Sequence, residues 1–363
     1  MPSELRPVWK KRLRSPGVGG VAATSKLVVV SGRESSDSAD GFRCFDAADG
    51  TDIWKLAYPA KGDLDYGNSP RATPQIHGDF VYLLGAFGHL HCLKLTTGDV
   101  VWKKDLRQEF QVTSKMVWGH ASSPLVVGDK LIVNPGGPGA GFVALECDTG
   151  KVDWKTGGDA AAFASFVVMT VNSRQQIIGY DATSLVGLDP ATGEKLWRHV
   201  PPHRNDFNVP TPVLWKDKLV VTTENNGTRL FGFNTEGRLI DEPLAVNEDL
   251  ATDTHSPVVC GDRLFGVWNE LYCLDLKAGL KRIWSGESKT FHHYTSLIAS
   301  ETRLLAAGMH GELMLIDPTA DRYREISRVN LVEDDSGVFS HPAIVGDRLF
   351  IRTSSDIRCV ALR

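Results

Sequence analysis

The 363-residue sequence has no long apolar run, no excess of positive charge and no adjacent pair of cysteines. Because a membrane-spanning helix needs about 20 consecutive apolar residues, the missing run excludes a helical membrane protein. With 40 lysines and arginines against 44 aspartates and glutamates, the chain offers no broad basic surface, so we expect no nucleic-acid partner. The segment MPSELRPVWKK has no apolar core of the kind that a signal peptide needs. Long amphipathic helical patterns are absent too, which argues against a helical or α/β fold.

What the sequence does contain is a five-residue motif that recurs eight times. Positions one and four are apolar, position three is usually small and position five is usually acidic. The copies are residues 42–46, 90–94, 142–146, 185–189, 230–234, 271–275, 313–317 and 357–361. A turn ending in glycine follows the first six copies, at Gly50, Gly98, Gly150, Gly193, Gly237 and Gly279. A fixed period of about 44 residues indicates a repeat architecture.

A tryptophan follows the turn glycine in most copies. These residues are Trp54, Trp102, Trp154, Trp197 and Trp284, and the fifth and seventh copies lack one. If the end of the chain is joined to its start, Trp9 lies about two periods after Trp284, so the spacing closes on eight units. We predict that all six tryptophans pack a repeat against its neighbour, because the indole is large, flat and apolar.

Several units also carry an upstream signal, Ser/Thr-Pro followed by two apolar runs on either side of Gly-Asp. Examples are residues 73–79, 123–129 and 256–262, and residues 341–347 repeat the pattern with His341 before the proline. Gly-Asp between β-branched runs predicts a hairpin, and the turn glycines are expected at positive φ. Each unit then has four short antiparallel strands, and eight such units predict an all-β, eight-bladed β-propeller. We expect a single domain over residues 1–363, with the strand around Trp9 completing the last blade and closing the ring.

Three stretches point to a known family. They are DPATGEKLW at 189–197, SPRATP at 69–74 and NPGGPGAGFVAL at 134–145. They resemble the PQQ-like, or quinoprotein alcohol dehydrogenase-like, repeat propellers. That resemblance implies either a quinone-dependent alcohol or sugar dehydrogenase or a cofactor-free scaffold, as in the lipoprotein of the bacterial outer-membrane assembly machine. It also implies a periplasmic or other extracytoplasmic location, with the cytoplasm as the alternative.

The six cysteines are interpreted as buried free thiols. Four of them, Cys44, Cys92, Cys273 and Cys359, fall on position three of the motif, where other copies have alanine, glycine or leucine. Equivalent positions on stacked sheets are about 10 Å apart, which is too far for a disulfide.

The loops that join one blade to the next are the predicted ligand site. They are rich in histidine, aromatic and polar residues, and the ring would bring them to one mouth of the channel. The candidate ligand-binding residues are Tyr66, Arg71, Lys115, Trp118, His120, Asn208, Asp253, His255, His293 and Tyr294. This set predicts a pocket for a peptide, glycan or protein. The alternative is that these polar loop residues only cap strand ends.

Metal and quinone chemistry are the competing interpretations. His120, His255, His292 and His293 could supply imidazole ligands, but no short ligand spacing exists and the adjacent pair would point apart. A quinone enzyme would need PQQ and Ca²⁺, with Asp253, Asn208 and Glu248 as candidate calcium ligands and Arg71 or Lys115 facing the cofactor. Alcohol dehydrogenases of the family carry a disulfide between adjacent cysteines, which this chain lacks. We therefore predict a monomeric, non-catalytic binding propeller with no metal, no cofactor and no catalytic residue.

Overall fold

Antiparallel β-strands make up nearly all the regular structure. The computed structural model describes residues 6–13, 17–332 and 337–362, and there 32 strands form eight four-stranded sheets. These sheets are the blades of an eight-bladed β-propeller, so the predicted fold is confirmed. Helical structure in the described residues is limited to α1 (Leu106–Glu109) and a 3₁₀ turn (Lys289–His292), and no helix there is long and apolar enough to cross a membrane.

The chain comprises two compact units, one of residues 1–161 with 332–363 and one of residues 162–331. The first unit holds four blades. Blade 1 has strands β2 (Ala22–Ala23), β3 (Leu27–Arg33), β4 (Ala39–Asp46) and β5 (Asp52–Pro59). Blade 2 has β6 (Gln75–His77), β7 (Phe80–Leu84), β8 (His89–Lys94) and β9 (Val100–Asp105). Blade 3 has β10 (Leu125–Val127), β11 (Lys130–Val133), β12 (Phe142–Glu146) and β13 (Val152–Thr156).

Blade 8 completes the first unit and joins the two ends of the chain. Its strands are β30 (Ala343–Val345), β31 (Arg348–Arg352), β32 (Asp356–Ala361) and, as the outermost strand, β1 (Arg6–Arg12). Trp9 of β1 pairs with Cys359 of β32. The N-terminal strand therefore completes the last blade, as the sequence predicted. Between blades 7 and 8, residues 333–336 lie outside the described residues.

The second unit holds blades 4 to 7. Blade 4 has β14 (Val167–Val171), β15 (Arg174–Tyr180), β16 (Leu185–Leu188) and β17 (Lys195–His199). Blade 5 has β18 (Val213–Trp215), β19 (Lys218–Thr223), β20 (Gly227–Phe231) and β21 (Ala245–Asn247). Blade 6 has β22 (Val258–Cys260), β23 (Arg263–Trp268), β24 (Glu270–Asp275) and β25 (Lys281–Gly286). Blade 7 has β26 (Thr295–Ala299), β27 (Leu304–Gly308), β28 (Glu312–Ile316) and β29 (Glu325–Asn330).

Outer-strand tryptophans donate a hydrogen bond from Nε1 to a backbone carbonyl of the next blade. The donor–acceptor pairs are Trp9–Ala47 (3.0 Å), Trp54–Leu95 (2.7 Å), Trp102–Cys147 (2.9 Å) and Trp284–Ala320 (2.9 Å). In blade 2 the turn glycine lies under the Trp54 ring of blade 1. A Cβ at Gly98 would be 2.6 Å from Cγ of Trp54, and Gly98 has a φ of 75°, so only glycine suits this position. The six predicted turn glycines all have positive φ.

The Ser/Thr-Pro motif has a role that its sequence did not reveal. A hydroxyl at the start of one blade accepts a hydrogen bond from the equivalent backbone N–H of the preceding blade. The pairs are Thr73 N to Ser123 Oγ (3.0 Å), Ser165 N to Thr211 Oγ1 (3.2 Å) and Thr211 N to Ser256 Oγ (2.9 Å). These bonds join the segments just before the innermost strands, whereas the tryptophan bonds start from outer strands. Both kinds connect blades 2 and 3, which are thus fixed at both edges.

The boundary between blades 4 and 5 departs from the tryptophan pattern. Nε1 of Trp197 donates to Oε1 of Gln176 in its own blade at 2.7 Å, and Nε2 of Gln176 donates to the carbonyl of Gly237 at 2.7 Å. The fully buried Gln176 amide thus links the indole N–H to blade 5, while the Trp197 ring meets Phe233 of blade 5 edge-on at 6.1 Å. Blade 5 itself has an outer strand of only three residues, β21, where the fifth repeat lacks a tryptophan.

The six cysteines are all free and buried, as predicted. Cys44, Cys92, Cys273 and Cys359 are fully buried in the cores of their sheets. Burial raises the pKa of the Cys44 thiol to about 12, so this sulfur is a neutral packing group rather than a nucleophile.

Candidate functional site

In the first unit, the structure brings two of the predicted ligand-binding aromatics together. Tyr66 is 89% exposed in the loop that enters blade 2, and its ring centroid lies 6.5 Å from that of Trp118 in the loop that enters blade 3. Arg71 donates from Nη2 to the carbonyl of Gly67 at 3.0 Å, which holds the loop around Tyr66 in shape. Lys115 is exposed on the same loop as Trp118. Tyr66 and Lys115 are thus exposed to solvent, whereas Arg71 and Trp118 are half-buried.

His120 is placed differently, because its side chain is only 2% exposed. Its backbone N–H donates to the carbonyl of Ala86 at 2.8 Å, which ties the loop to blade 2. Burial, helped by the nearby charge of Arg107, lowers the pKa of His120 to about 4. The imidazole is therefore neutral at physiological pH and forms part of the interior behind the loop.

In the second unit, His255, His293 and Tyr294 lie near one another. The ring centroids of His255 and Tyr294 are 5.8 Å apart, and the ring of His293 meets that of His310 edge-on at 5.1 Å. Burial lowers the pKa of His255, whereas Tyr294 is about half exposed. Asp253, in the loop before blade 6, accepts a hydrogen bond from the Thr254 hydroxyl at 3.0 Å.

Asn208 is buried and its amide is used within the protein. Nδ2 donates to the carbonyls of Asp181 and Ala182, at 3.2 and 3.3 Å. The backbone of Asn208 has a φ of 52° and its carbonyl accepts from the N–H of Ala164 at 2.8 Å. Asn208 therefore fixes the loop before blade 5 to blade 4.

The residues that were weighed for a calcium–quinone site do not assemble into one. No three His, Cys, Asp or Glu side chains in the described ranges are grouped so that they could hold a metal ion. Nδ2 of Asn208 is engaged by backbone carbonyls, and the guanidinium of Arg71 donates to the carbonyl of Gly67 in its own loop. Because Ca²⁺ takes six to eight oxygen ligands, these side chains do not fit the cofactor arrangement.

The structure also contains a cavity that the sequence did not predict. Its volume is about 900 Å³, and it lies in the second unit where the end of β17 in blade 4 meets blade 5. The lining comes from the end of β17 and the loop after it, the turn between β19 and β20, strand β20, and the segment around β21. This is the same boundary at which the Gln176 amide replaces the direct tryptophan hydrogen bond.

Arg229, on strand β20, supplies a buried positive charge to this cavity. The residue is 4% exposed and its Nη2 donates to Oγ1 of Thr223 at 3.3 Å, while Cζ lies 5.7 Å from the Phe231 ring. Its Nε and Nη1 have no hydrogen-bond partner in the described part of the chain. Burial lowers the pKa of Arg229, yet an arginine stays charged at neutral pH. A buried cation with unused donors is costly unless something else binds there.

His199 and Glu224 add two unused acceptors to the cavity lining. Nδ1 of His199 lies 3.0 Å from Oδ1 of Asp241, and burial lowers the His199 pKa despite that carboxylate. The neutral ring therefore donates from Nδ1 and keeps a lone pair on Nε2. Oε1 of Glu224 accepts from the backbone N–H of Phe207 at 2.7 Å. Across the described residues, neither His199 Nε2 nor Glu224 Oε2 has a partner.

Asn226 holds the lining loops together. Its Nδ2 donates to the carbonyl of His203 at 2.8 Å and to Oδ2 of Asp206 at 2.6 Å, and its Oδ1 accepts from the N–H of His203 at 3.0 Å. The loop after β17 is thus fixed to the turn before β20, and the cavity is largely pre-formed. Three exposed carboxylates, Asp241, Glu242 and Glu248, lie on its outer side.

One sequence signal could have located this cavity. Arg229 occupies the position immediately before the five-residue motif, where the other seven copies have Gly41, His89, Gly141, Ser184, Glu270, Glu312 and Asp356. It is the only arginine or lysine at that repeat position. A cation at a buried strand position where the other copies have small, acidic or histidine residues indicates that this copy of the repeat has changed.

The blades, the tryptophan contacts and the turn glycines define a β-propeller built of PQQ-like repeats. A family model described as outer membrane protein assembly factor BamB matches residues 38–286, more than half of the chain. The chain therefore belongs to that family, which confirms the resemblance drawn from the sequence.

Individual relatives are distant in sequence. The outer membrane protein assembly factor BamB of Shewanella oneidensis is 22% identical over 349 residues, covering 78% of this chain and 82% of the relative. The crystal structure of BamB from Moraxella catarrhalis has a TM-score of 0.69 at 16% identity and covers 99% of this chain and 98% of that one. A quinohemoprotein alcohol dehydrogenase from Comamonas testosteroni has a TM-score of 0.67 at 13% identity, covering 99% of this chain and 77% of that one. At these identities the solved structures show a shared fold only.

Proposed function

We propose that this protein is a non-catalytic scaffold that binds a protein partner through the loops connecting its blades. The observation that carries the proposal is the exposure of aromatic side chains on those loops: Tyr66 beside Trp118, and Phe207, Tyr294 and Phe339, each about half exposed. Aromatic residues are enriched at the centres of protein interfaces, and a soluble protein gains nothing from leaving them in water. The neighbouring Arg71, Lys115 and His255 supply polar contacts of the kind that surround such anchors.

The partner class follows from the family. Because the relatives are named as outer membrane protein assembly factors, we propose a protein of that assembly process as the partner and an extracytoplasmic location for this chain. A peptide or a glycan is the alternative ligand of the same loops. No cofactor and no catalytic residue enter this function.

Site-specific photocrosslinking tests the proposal. A photoreactive phenylalanine derivative would replace Tyr66 or Tyr294, and in matched controls Ile53 or Val101, which are exposed apolar residues on outer strands. We expect adducts from the two loop positions in the cell of origin, identified by mass spectrometry as outer-membrane assembly proteins, and none from the strand positions. Equal crosslinking at loop and strand positions, or none at the loops, would refute the proposal.

The alternative function is a quinoprotein dehydrogenase, which the fold shared with the Comamonas enzyme brings into consideration. Calorimetric titration of pyrroloquinoline quinone, with and without Ca²⁺, separates it from a scaffold. We expect no stoichiometric binding at cofactor concentrations of about 100 μM. Stoichiometric, calcium-dependent binding would replace the scaffold proposal with a redox enzyme.

A further inference from the structure

We propose that the cavity between blades 4 and 5 binds a hydroxylated organic monoanion of the sugar-acid class, with the ligand carboxylate on Arg229. This inference does not depend on the scaffold function, because the cavity residues differ from the exposed loop aromatics. We call it the Arg229 cavity, defined by Arg229, His199, Glu224, Asn226 and Phe231.

The carboxylate follows from the buried guanidinium. Arg229 is nine-tenths buried, yet only its Nη2 has a hydrogen-bond acceptor, the Thr223 hydroxyl. Within the described ranges no carboxylate bonds to the guanidinium. Hydrogen bonds from arginine to a carboxylate are about twice as strong as neutral ones, so an organic acid is the ligand that satisfies these donors best.

The hydroxyl groups follow from the two unused acceptors. Glu224 Oε2 and the lone pair on His199 Nε2 both need a donor, and a carboxylate alone has none to offer. A ligand with hydroxyls near its carboxylate supplies donors to these atoms while its acid group meets Arg229. The rings of Phe231 and His199 are in edge-on contact at 4.9 Å, and this pair forms the apolar side of the cavity.

The limit to a single negative charge follows from the outer side of the cavity. Asp241, Glu242 and Glu248 are exposed carboxylates there, and the side chain of Asp241 is 82% exposed. A ligand with a second carboxylate would place it near these groups, where like charges repel. The volume of about 900 Å³ is ample for a single sugar acid and falls within the range of small-molecule sites.

Isothermal titration calorimetry on the full-length protein tests the proposal with four probes. D-galacturonate has the carboxylate and the hydroxyls, D-galactose only the hydroxyls, acetate only the carboxylate, and galactarate a second carboxylate. We expect D-galacturonate to bind with a Kd below about 1 mM and each of the other three to bind at least about tenfold more weakly.

Variants then assign the binding to this cavity. Arg229→Met keeps a side chain of similar length without donors and should weaken D-galacturonate binding by at least about tenfold. Arg238→Met, an exposed arginine of the same blade outside the cavity, is the matched control and should bind as wild type does. If Arg229→Met fails to fold, Glu224→Gln replaces an acceptor with a donor and should weaken D-galacturonate more than it weakens acetate.

Three results would overturn the proposal. They are no heat with D-galacturonate at about 10 mM, equal binding of D-galactose, and unchanged binding in a folded Arg229→Met or Glu224→Gln variant. Crosslinking at Tyr66 and Tyr294 is unaffected by any of these results, so failure here is distinct from failure of the scaffold function.

Discussion

The boundary between blades 1 and 2 and the boundary between blades 4 and 5 use the same repeat in different ways. At the first, Trp54 donates directly to the Leu95 carbonyl of the next blade and covers Gly98. At the second, the Trp197 indole N–H reaches blade 5 through the Gln176 amide while its ring meets Phe233 edge-on, and the turn glycine, Gly237, faces that amide instead of an indole. The second boundary also has a short outer strand, a cavity and a buried arginine.

The difference separates residues that hold the propeller together from residues that are free to serve a ligand. A direct tryptophan contact fills its space and uses its only polar atom, so it contributes to stability. The Arg229 cavity leaves donors and acceptors unused, which lowers stability unless a ligand binds. Proteins commonly retain such costly groups where function requires them.

The largest loss of stability is expected on replacing Trp54, which bonds directly to the next blade. Trp54→Ala removes a buried indole and leaves the Leu95 carbonyl without its donor, so we expect the free energy of unfolding to fall by about 3–5 kcal/mol in urea denaturation. The control is Lys55→Ala, the next residue on the same strand, whose exposed ion pair with Glu34 should contribute no more than about 1 kcal/mol. Equal losses for the two variants would contradict a docking role for the tryptophan.

The buried loop residue His120 should make the free energy of unfolding depend on pH. The unfolded His120 side chain binds a proton near pH 6.5, whereas the folded one stays neutral down to about pH 4. Between these values the unfolded state binds more protons, so the free energy of unfolding falls as the pH is lowered. The contribution of His120 to that fall is at most about 3 kcal/mol.

Urea denaturation from pH 7 to 4.5 checks this prediction. His120→Gln should have a shallower pH dependence than wild type, and His77→Gln, an exposed histidine on β6, should keep the full dependence. His91, whose pKa burial also lowers to about 4, leaves a residual slope in both variants. An unchanged slope in His120→Gln would show that the imidazole is solvated.

Gln176 and Trp197, at the boundary between blades 4 and 5, should be energetically coupled. Gln176→Met removes both hydrogen bonds of the side-chain amide and leaves Trp197 Nε1 and the Gly237 carbonyl without partners. We expect the free energy of unfolding to fall by about 2 kcal/mol. Combining it with Trp197→Phe removes one of the orphaned groups, so the double variant should lose less than the sum of the single variants. Strict additivity in this double-mutant cycle would argue against the amide bridge.

The smallest effect on stability is expected at the exposed loop. Tyr66→Ala removes a side chain that is 89% exposed, so the free energy of unfolding should change by less than about 0.5 kcal/mol. Crosslinking from the Trp118 position should nevertheless fall, because the two rings are adjacent. A large loss of stability would assign Tyr66 to the framework instead.

The fold was predictable because its determinants repeat. Gly98, Trp54 and the position of Cys44 recur at one spacing, so blade number, strand order and the closing strand around Trp9 could be read from the sequence. The prediction of one domain over residues 1–363 stays a prediction. The site was harder to predict because sequence position does not give depth: among the loop candidates Tyr66 is exposed, whereas His120 and Asn208 are buried.

The Arg229 cavity was missed for a related reason. Its residues come from a strand end, two loops and a strand interior that are up to about 50 positions apart, and none forms a motif. Only the cation at Arg229, in a repeat position otherwise held by small, acidic or histidine residues, departs from the pattern. The ligand-binding roles of all ten candidates stay predictions: Tyr66, Arg71, Lys115, Trp118, His120, Asn208, Asp253, His255, His293 and Tyr294.

The most direct test of this account is the free energy of unfolding of Arg229→Met without ligand, measured by urea denaturation beside wild type. If Arg229 is kept for a ligand, an apolar side chain of similar volume should leave stability unchanged or raise it by about 1 kcal/mol, because the buried charge and its unused donors are removed. A loss of more than about 2 kcal/mol would show that Arg229 is a structural residue, and the distinction between the two boundaries would fail.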